Sequence, residues 1–474
     1  PAFEVEGTYP VIQVSDTDVT NGKAVLATNG GLVYLGGTGA GTTAMQLYVA
    51  GNLRFKLDDN SRISLSNNDS GANNTVFGKK AGLDLALGGD KNVLIGEESG
   101  TNITTGDGNI SIGFEALHGS DSTAITGDYN TAIGYRSGYD MTTGLYNHMV
   151  GYLSGQNITT GDSNIAIGHS TLSTISTQDG NVGIGHQVLQ DYAGTNAVCI
   201  GYQAGLESTA GSPVFIGRKA GFSHTSGDYN VAVGTDTQYH NLTGDNNTAI
   251  GHQSLMGSSG NSFSSNTAVG YQSMKGVTTG GFNIAIGKNS LDALDTGSSN
   301  VGIGTDALGA LTSGVGNIVM GEAAGATLGT EANNTYIGHN SGRFMDDGAS
   351  NSALGYQSMM GASTGNNALN NVAIGYQSLK SITTGDENVA VGYQSLLDIT
   401  TGNYNTMLGV SAGENTTTGS YNTAVGYQAM HGSDSTAQTG DQVNVAMGYQ
   451  AMLSVTTATN NVAIGANALD AYTS

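Results

Sequence analysis

Basic residues and cysteine are nearly missing from this chain of 474 residues. Only 14 Lys and Arg stand against 37 Asp and Glu, leaving a formal net charge of -23 at pH 7. A phosphate backbone requires a basic face, so nucleic acid is a poor partner. The one cysteine, Cys199, cannot close an intrachain disulfide, and Cys and His are nowhere clustered as a zinc framework requires. No run approaches the ~18 apolar residues that span a bilayer, so no membrane insertion is expected. The opening Pro-Ala-Phe-Glu-Val-Glu does not read as a signal peptide. No motif asks for a cofactor.

Glycine is what the chain has in excess, with 75 residues, and its placing is regular. The phrase Asn-Val-Ala-Ile-Gly returns with variations, and its closing glycine occurs 23 times from Gly78 to Gly465. Of the 22 intervals, 15 are 17 residues long. Self-similarity at this length marks a solenoid, in which each unit buries its apolar surface only against its neighbours. A stacked repeat also escapes the size limit that splits globular chains into domains.

One unit runs from Asn388 to Tyr404, with Asn405 opening the next. The residue before the glycine is always apolar, and alternation puts it and the residue two before it on one face of a strand, expected to be the coil interior. The middle residue, usually Ala, then points outward. Its smallness has two readings: another surface, most simply a second copy of the chain, comes close there, or Ala fits a crowded turn inside one coil. The first is the working expectation. The second half of the unit reads as a short strand or a tight turn, and the spacing does not choose between them. The corner Thr-Thr-Gly-Asp supplies turn chemistry, with Gly expected to bring positive φ and Asp to bond its own backbone. The opening Asn is expected to form a ladder of side-chain amides that satisfies the corner backbone. At ~4.8 Å per coil the stack would reach roughly 105 Å.

Residues 1–72 lie outside this ruler and alternate apolar and polar residues at Leu32–Leu35, Gln46–Val49, Leu53–Leu57 and Arg62–Leu65. They read as short strands joined by turns. The expected fold class is therefore all-β: a small N-terminal β segment over 1–72, then an elongated parallel β-solenoid or β-roll of about 17-residue coils over 73–474.

The Asn-x-Val-Ala-Ile-Gly phrase followed by a small residue resembles the head repeats of YadA-type trimeric autotransporter adhesins. With Gly-Tyr-Gln-Ser-Leu and Thr-Thr-Gly-Asp added, the unit looks even more like repeats in bacteriophage tail-fibre proteins. The resemblance covers residues 74–474 and names an architecture shared by several adhesive fibres. It implies a parallel homotrimer of β-rolls and a structural, receptor-binding role: a virion tail fibre, extracellular, that attaches to a host cell-surface glycan or protein and joins other virion tail proteins. A bacterial surface adhesin or a filament-forming structural protein is the alternative. The adhesin heads have a shorter repeat, a coiled-coil stalk and a membrane anchor, and the lack of heptads or an anchor here favours the viral fibre. Viral fibres of this kind commonly carry a C-terminal chaperone that cuts itself away, often at a serine; Ser474 is compatible with that and equally with an arbitrary boundary. In a trimer, the small middle residues Ala166, Cys199, Ala232, Ala373 and Ala390 are candidates for the axis, where three Cys199 thiols would converge.

Two lengthened corners, between Gly113 and Gly134 and between Gly426 and Gly448, both contain His-Gly-Ser-Asp-Ser-Thr-Ala. His118, Asp121, His431 and Asp434 are thus candidate receptor contacts, since loops on a rigid scaffold vary freely; neutral duplication of a coil block also accounts for them. The Tyr or His after the repeat glycine either stacks on sugars or forms a structural ladder. Calcium-binding rolls use a nine-residue repeat, unlike this one. No paired carboxylates or Ser-His-Asp setting supports catalysis, so no enzymatic activity is expected. The Thr-Thr pairs lie at bends, which argues against ice binding.

Overall fold

The computed structural model describes residues 73–470, except 86–87, 121–122, 210, 363–364, 433–442 and 455–458, together with the backbone of five strands nearer the N-terminus. Those five are Ala24–Thr28, Gly31–Leu35, Met45–Val49, Asn52–Leu57 and Ile63–Ser64, joined in sequence order into one antiparallel sheet. Four match the alternating segments; the first went unforeseen. The chain forms two compact units, 1–181 and 182–474. Among the described residues no helix is long and apolar enough to cross a membrane.

Both units contain stacked coils. In the first, six three-residue strands from Thr75–Phe77 to Ile165–Ile167 pair in parallel, each with the next in sequence. In the second, seventeen strands run from Val182–Ile184 to Val462–Ile464 in the same way. The register never slips: Ala390 stands over Ala373 and under Met407, middle residue upon middle residue. The protein is therefore an all-β parallel solenoid with coils of about 17 residues.

The coil 388–404 shows how the sequence closes on itself. Val389–Val391 forms the strand, with Val389 N–H donating to Asn405 O at 2.8 Å and Gly392 N–H to Ile374 O at 2.8 Å. Gly392 then turns the chain at φ 143°, and a Cβ there would collide with the carbonyl of Gly409 in the next coil. Only glycine meets both demands, which is why the ruler exists. The second half is neither strand nor helix. Gln394 and Leu396 both take left-handed conformations, φ 53° and 50°, which for L-residues costs roughly 1–2 kcal/mol each. Hydrogen bonds in both directions offset this, from Gln394 N–H down to Tyr376 O and from Leu396 N–H up to Ala412 O.

The corner works differently from expectation. Gly385 and Gly402 do not have positive φ; their bareness lets coils stack, since a Cβ on Gly385 would press on the carbonyl of Gly402. Positive φ falls instead on the residue before the ladder asparagine, Glu387 at 58° and Tyr404 at 57°. Asp386 bonds across coils rather than locally, accepting from Leu369 N–H at 2.7 Å. The asparagine ladder is as the spacing predicts. Asn388 Oδ1 accepts from Asn405 N–H at 3.0 Å, and its Nδ2 donates to the corner carbonyl of Gly402 at 2.8 Å.

The face assignment is reversed. In every coil strand from Val93–Ile95 onward the middle residue is buried and both its neighbours are half-exposed or exposed. Ala166, Cys199, Ala232, Ala373 and Ala390 are fully enclosed within their own chain, so they cannot line an intersubunit axis. Cys199 is a core residue whose thiol is pushed up by burial, and converging thiols are ruled out with it. The reason is volume. A coil this small holds, in each layer, the middle residue, the small third and the fourth residue after the glycine, and the seventh, as in Ala390, Ser395, Leu396 and Ile399.

Those positions compensate one another. Where the middle residue is large, as Leu94, Met149, Phe215, Val319, Tyr336 or Met407, the fourth residue after the glycine is Gly; where it is Ala, Gly or Ser, that residue is Leu, Met or Gln. A Cβ on Gly342 would strike the Tyr336 ring of its own coil. Ala132 with Gly138 and Cys199 with Gly205 depart from the rule, because there Met149 and Phe215 of the following coil fill the space. Close packing thus fixes which face is inside.

Candidate functional site: an apolar strand face with aromatic margins

Turning the middle residue inward turns its two neighbours outward, and they form two rows along each unit. The row before the glycine is apolar in every coil, and the row two residues earlier is Val, Ile or Thr in nearly all. Neither row contains Lys, Arg, Asp or Glu. Leu354, Ile374, Leu408 and Met447 are each more than two-fifths exposed. Soluble monomers rarely leave a contiguous apolar patch beyond a few hundred Å² bare, and seventeen coils at ~4.8 Å carry this one for roughly 75 Å along the second unit.

One margin of this face is the residue after the glycine. Its rings stack coil upon coil: His339, Tyr356, Tyr376 and Tyr393 lie 5.1–5.4 Å apart, within 11° of parallel. Within a run each inner ring has both faces taken by its neighbours, so the row is a structural ladder with its edges in solvent. The glutamines that follow extend it, Gln377 Nε2 donating to Gln357 Oε1 at 2.8 Å and Gln394 Nε2 to Gln377 Oε1 at 3.0 Å.

The other margin is the left-handed position before the ladder asparagine. Most coils put Asn, Ser or Gly there, of which Gly and Asn adopt this conformation most readily. Six instead carry an aromatic: Tyr129, Tyr146, Tyr229, Phe282, Tyr404 and Tyr421, with φ between 57° and 62°. All six are exposed. Nothing in the period marks this row; the signal was the unsuitability of the residue for the turn.

The two histidine corners have a common build. His118 is buried, its Nδ1 2.6 Å from Gly119 O and its ring stacked on Tyr139 at 5.0 Å, with Nε2 facing the Glu98 carboxylate at 3.9 Å. His431, half-buried, makes the same two polar contacts, with Gly432 O at 2.8 Å and Glu414 at 3.3 Å. Both histidines are drawn back against the coil. Asp121 and Asp434 lie outside the described residues, as does Ser474.

Ionisable groups inside the coils are few. His224 takes the seventh position after Gly217, fully buried, and burial lowers its pKa to about 4. Its ring meets Ser208 Oγ at 3.1 Å and Asn230 Nδ2 at 3.2 Å and lies edge-on to Phe215. Among the described residues, no group of three His, Cys, Asp or Glu is arranged to hold a metal ion. No protein-family model matches the chain, and no match is found among curated proteins or solved structures.

Proposed function

We propose that the chain is a structural, receptor-binding fibre that assembles as a parallel homotrimer, in the manner of a bacteriophage tail fibre that attaches to the host cell surface. The observation that carries this reading is the uncharged apolar strand face. Covering an outward Ile or Leu that is two-fifths exposed contributes on the order of 1 kcal/mol, and repetition over the stack multiplies it. Copies lying side by side in register cover the face along its length, whereas a small ligand would cover a few coils. On this reading the protein is extracellular, part of a virion tail, joined to other tail proteins, and without catalytic activity.

Light scattering on the purified chain should give three chains per particle, and replacing Ile286, Ile374 and Leu408 together by Lys should give monomers. A monomeric unmodified chain would overturn the trimer. Labelled protein is expected to adsorb to some members of a panel of bacterial cells; adsorption to none would remove the attachment role. Polysaccharides incubated with it should release no reducing sugar.

A further inference from the structure

We propose that the six exposed aromatics in the left-handed corner position, Tyr129 and Tyr146 in one unit and Tyr229, Phe282, Tyr404 and Tyr421 in the other, are stacking subsites for neutral carbohydrate. The inference rests on the attachment role above and names the chemistry of what is attached. Three observations carry it. The turn itself accepts small polar residues: the neighbouring coils of Phe282 use Ser265 and Ser299 at the same position, and the coil after Tyr229 uses Asn246, all left-handed. The turn therefore does not require an aromatic there, and a solvent-facing ring in a left-handed conformation points to use.

Second, two of the rings have both faces open, whereas the inner rings of the other margin's longer runs have theirs covered by neighbouring rings. Tyr229 and Phe282 are 69% and 71% exposed, and among the described residues no ring stacks on either. Tyr404 and Tyr421 form an isolated pair at 5.0 Å, as Tyr129 and Tyr146 do at 5.4 Å, each pair flanked by coils without an aromatic at this position. The row is discontinuous, unlike the strand face, which is apolar in every coil. A surface meant for a second copy would be continuous; separated aromatics fit separate subsites.

Third, the surroundings select the ligand. No Lys or Arg lies within two residues of any of the six, and the net charge of -23 repels acidic sugars. The residue before each ring offers hydrogen-bonding groups in several cases: Asp128, Asp228, Asn403 and Ser420. Asp128 is held beside Tyr129 because its Oδ1 accepts Asp107 N–H at 2.8 Å. A flat apolar face beside acceptor oxygens suits a pyranose with C–H groups on one side and hydroxyl donors at its rim. Single subsites of this kind bind weakly, and their repetition along a unit supplies avidity.

The test is a glycan array carrying neutral, sialylated and phosphorylated oligosaccharides, probed with the full chain and with a variant bearing Y229S, F282S, Y404S and Y421S. The unmodified chain should be retained by neutral glycans alone, and the variant should lose at least tenfold in signal. Its Tm and its oligomeric state should be unchanged or its Tm slightly raised, since Ser is native to this position in other coils. Retention of the variant equal to that of the unmodified chain, binding only to acidic glycans, or dissociation of the variant into single chains would each overturn the proposal, the last by assigning the rings to contacts between copies. Adsorption to cells separates the two readings: if the variant adsorbs as well as the unmodified chain, the subsites fall and the attachment role stands; if neither adsorbs, the role falls.

Discussion

Two stretches of the second unit follow the same rule with different means. From Gly270 to Gly426 the ladder asparagine is unbroken, and the seventh position after the glycine is Val, Leu, Ile or Met in seven of ten coils. From Gly185 to Gly251 two coils are one residue short, Ala197 and Pro213 stand where asparagine is expected, and the seventh position holds Tyr192, Ser208, His224 and Asn241. Strand register nevertheless persists through both, Cys199 over Gly183 and under Phe215. The comparison teaches that the glycine and its strand define the coil. The interior can be apolar, or polar if its members satisfy one another, as Ser208, His224 and Asn230 do.

The largest effect is expected from breaking the ladder in the regular stretch. Asn388→Ala leaves the Asn405 N–H and the Gly402 carbonyl buried without their partners, costing about 4 kcal/mol at the usual 1–3 for each. Hydrogen exchange should show the loss in the coils around Gly392 first, because a solenoid opens locally. Unchanged protection there would mean that the ladder decorates the stack without holding it.

Acid should act on the irregular stretch instead. Folded His224 has its pKa lowered to about 4, so it is neutral where the unfolded chain already binds a proton. Its contribution is complete above the unfolded value of ~6.5 and is lost as pH falls from there to about 4, amounting to about 3 kcal/mol. Exchange in the coils near Phe215 should accelerate over that window, while those near Ala390 respond less. His224→Gln should flatten the response. A uniform response along the unit would assign acid sensitivity to something shared by all coils.

Volume compensation gives a smaller effect and a rescue. Ala390→Met alone overfills its layer against Leu396 and should cost about 2 kcal/mol. Adding Leu396→Gly recreates the arrangement that Met407 and Gly413 already have one coil on, and should return most of the loss. Thermal denaturation of the two variants decides it; additive losses would mean that the two residues do not share one space.

Much of this architecture was legible in the residues. The asparagine ladder could be foreseen because an amide that recurs in nearly every coil beside a turn has few other tasks, and Gly392 because no other residue recurs so strictly. The direction of the strand could not be read by alternation. In Val389-Ala390-Val391 both choices of parity leave an apolar residue inside, and the larger pair looks the better core. The signal that resolves it, Met407 with Gly413 against Ala390 with Leu396, spans two halves of a coil and has meaning only once they share an interior. The six corner aromatics escaped notice for a similar reason: the left-handed demand falls on Tyr404 and not on Gly402, which only backbone geometry reveals.

The sequence alone determined the period, the parallel stacking and the coil length, because each follows from local constraints repeated at fixed spacing. Tertiary structure decided which surface is free. A three-residue strand has no preference for either face until the rest of its coil limits the volume within, and that limit sends alanine inward and leaves the larger Val, Ile and Leu side chains on the outside.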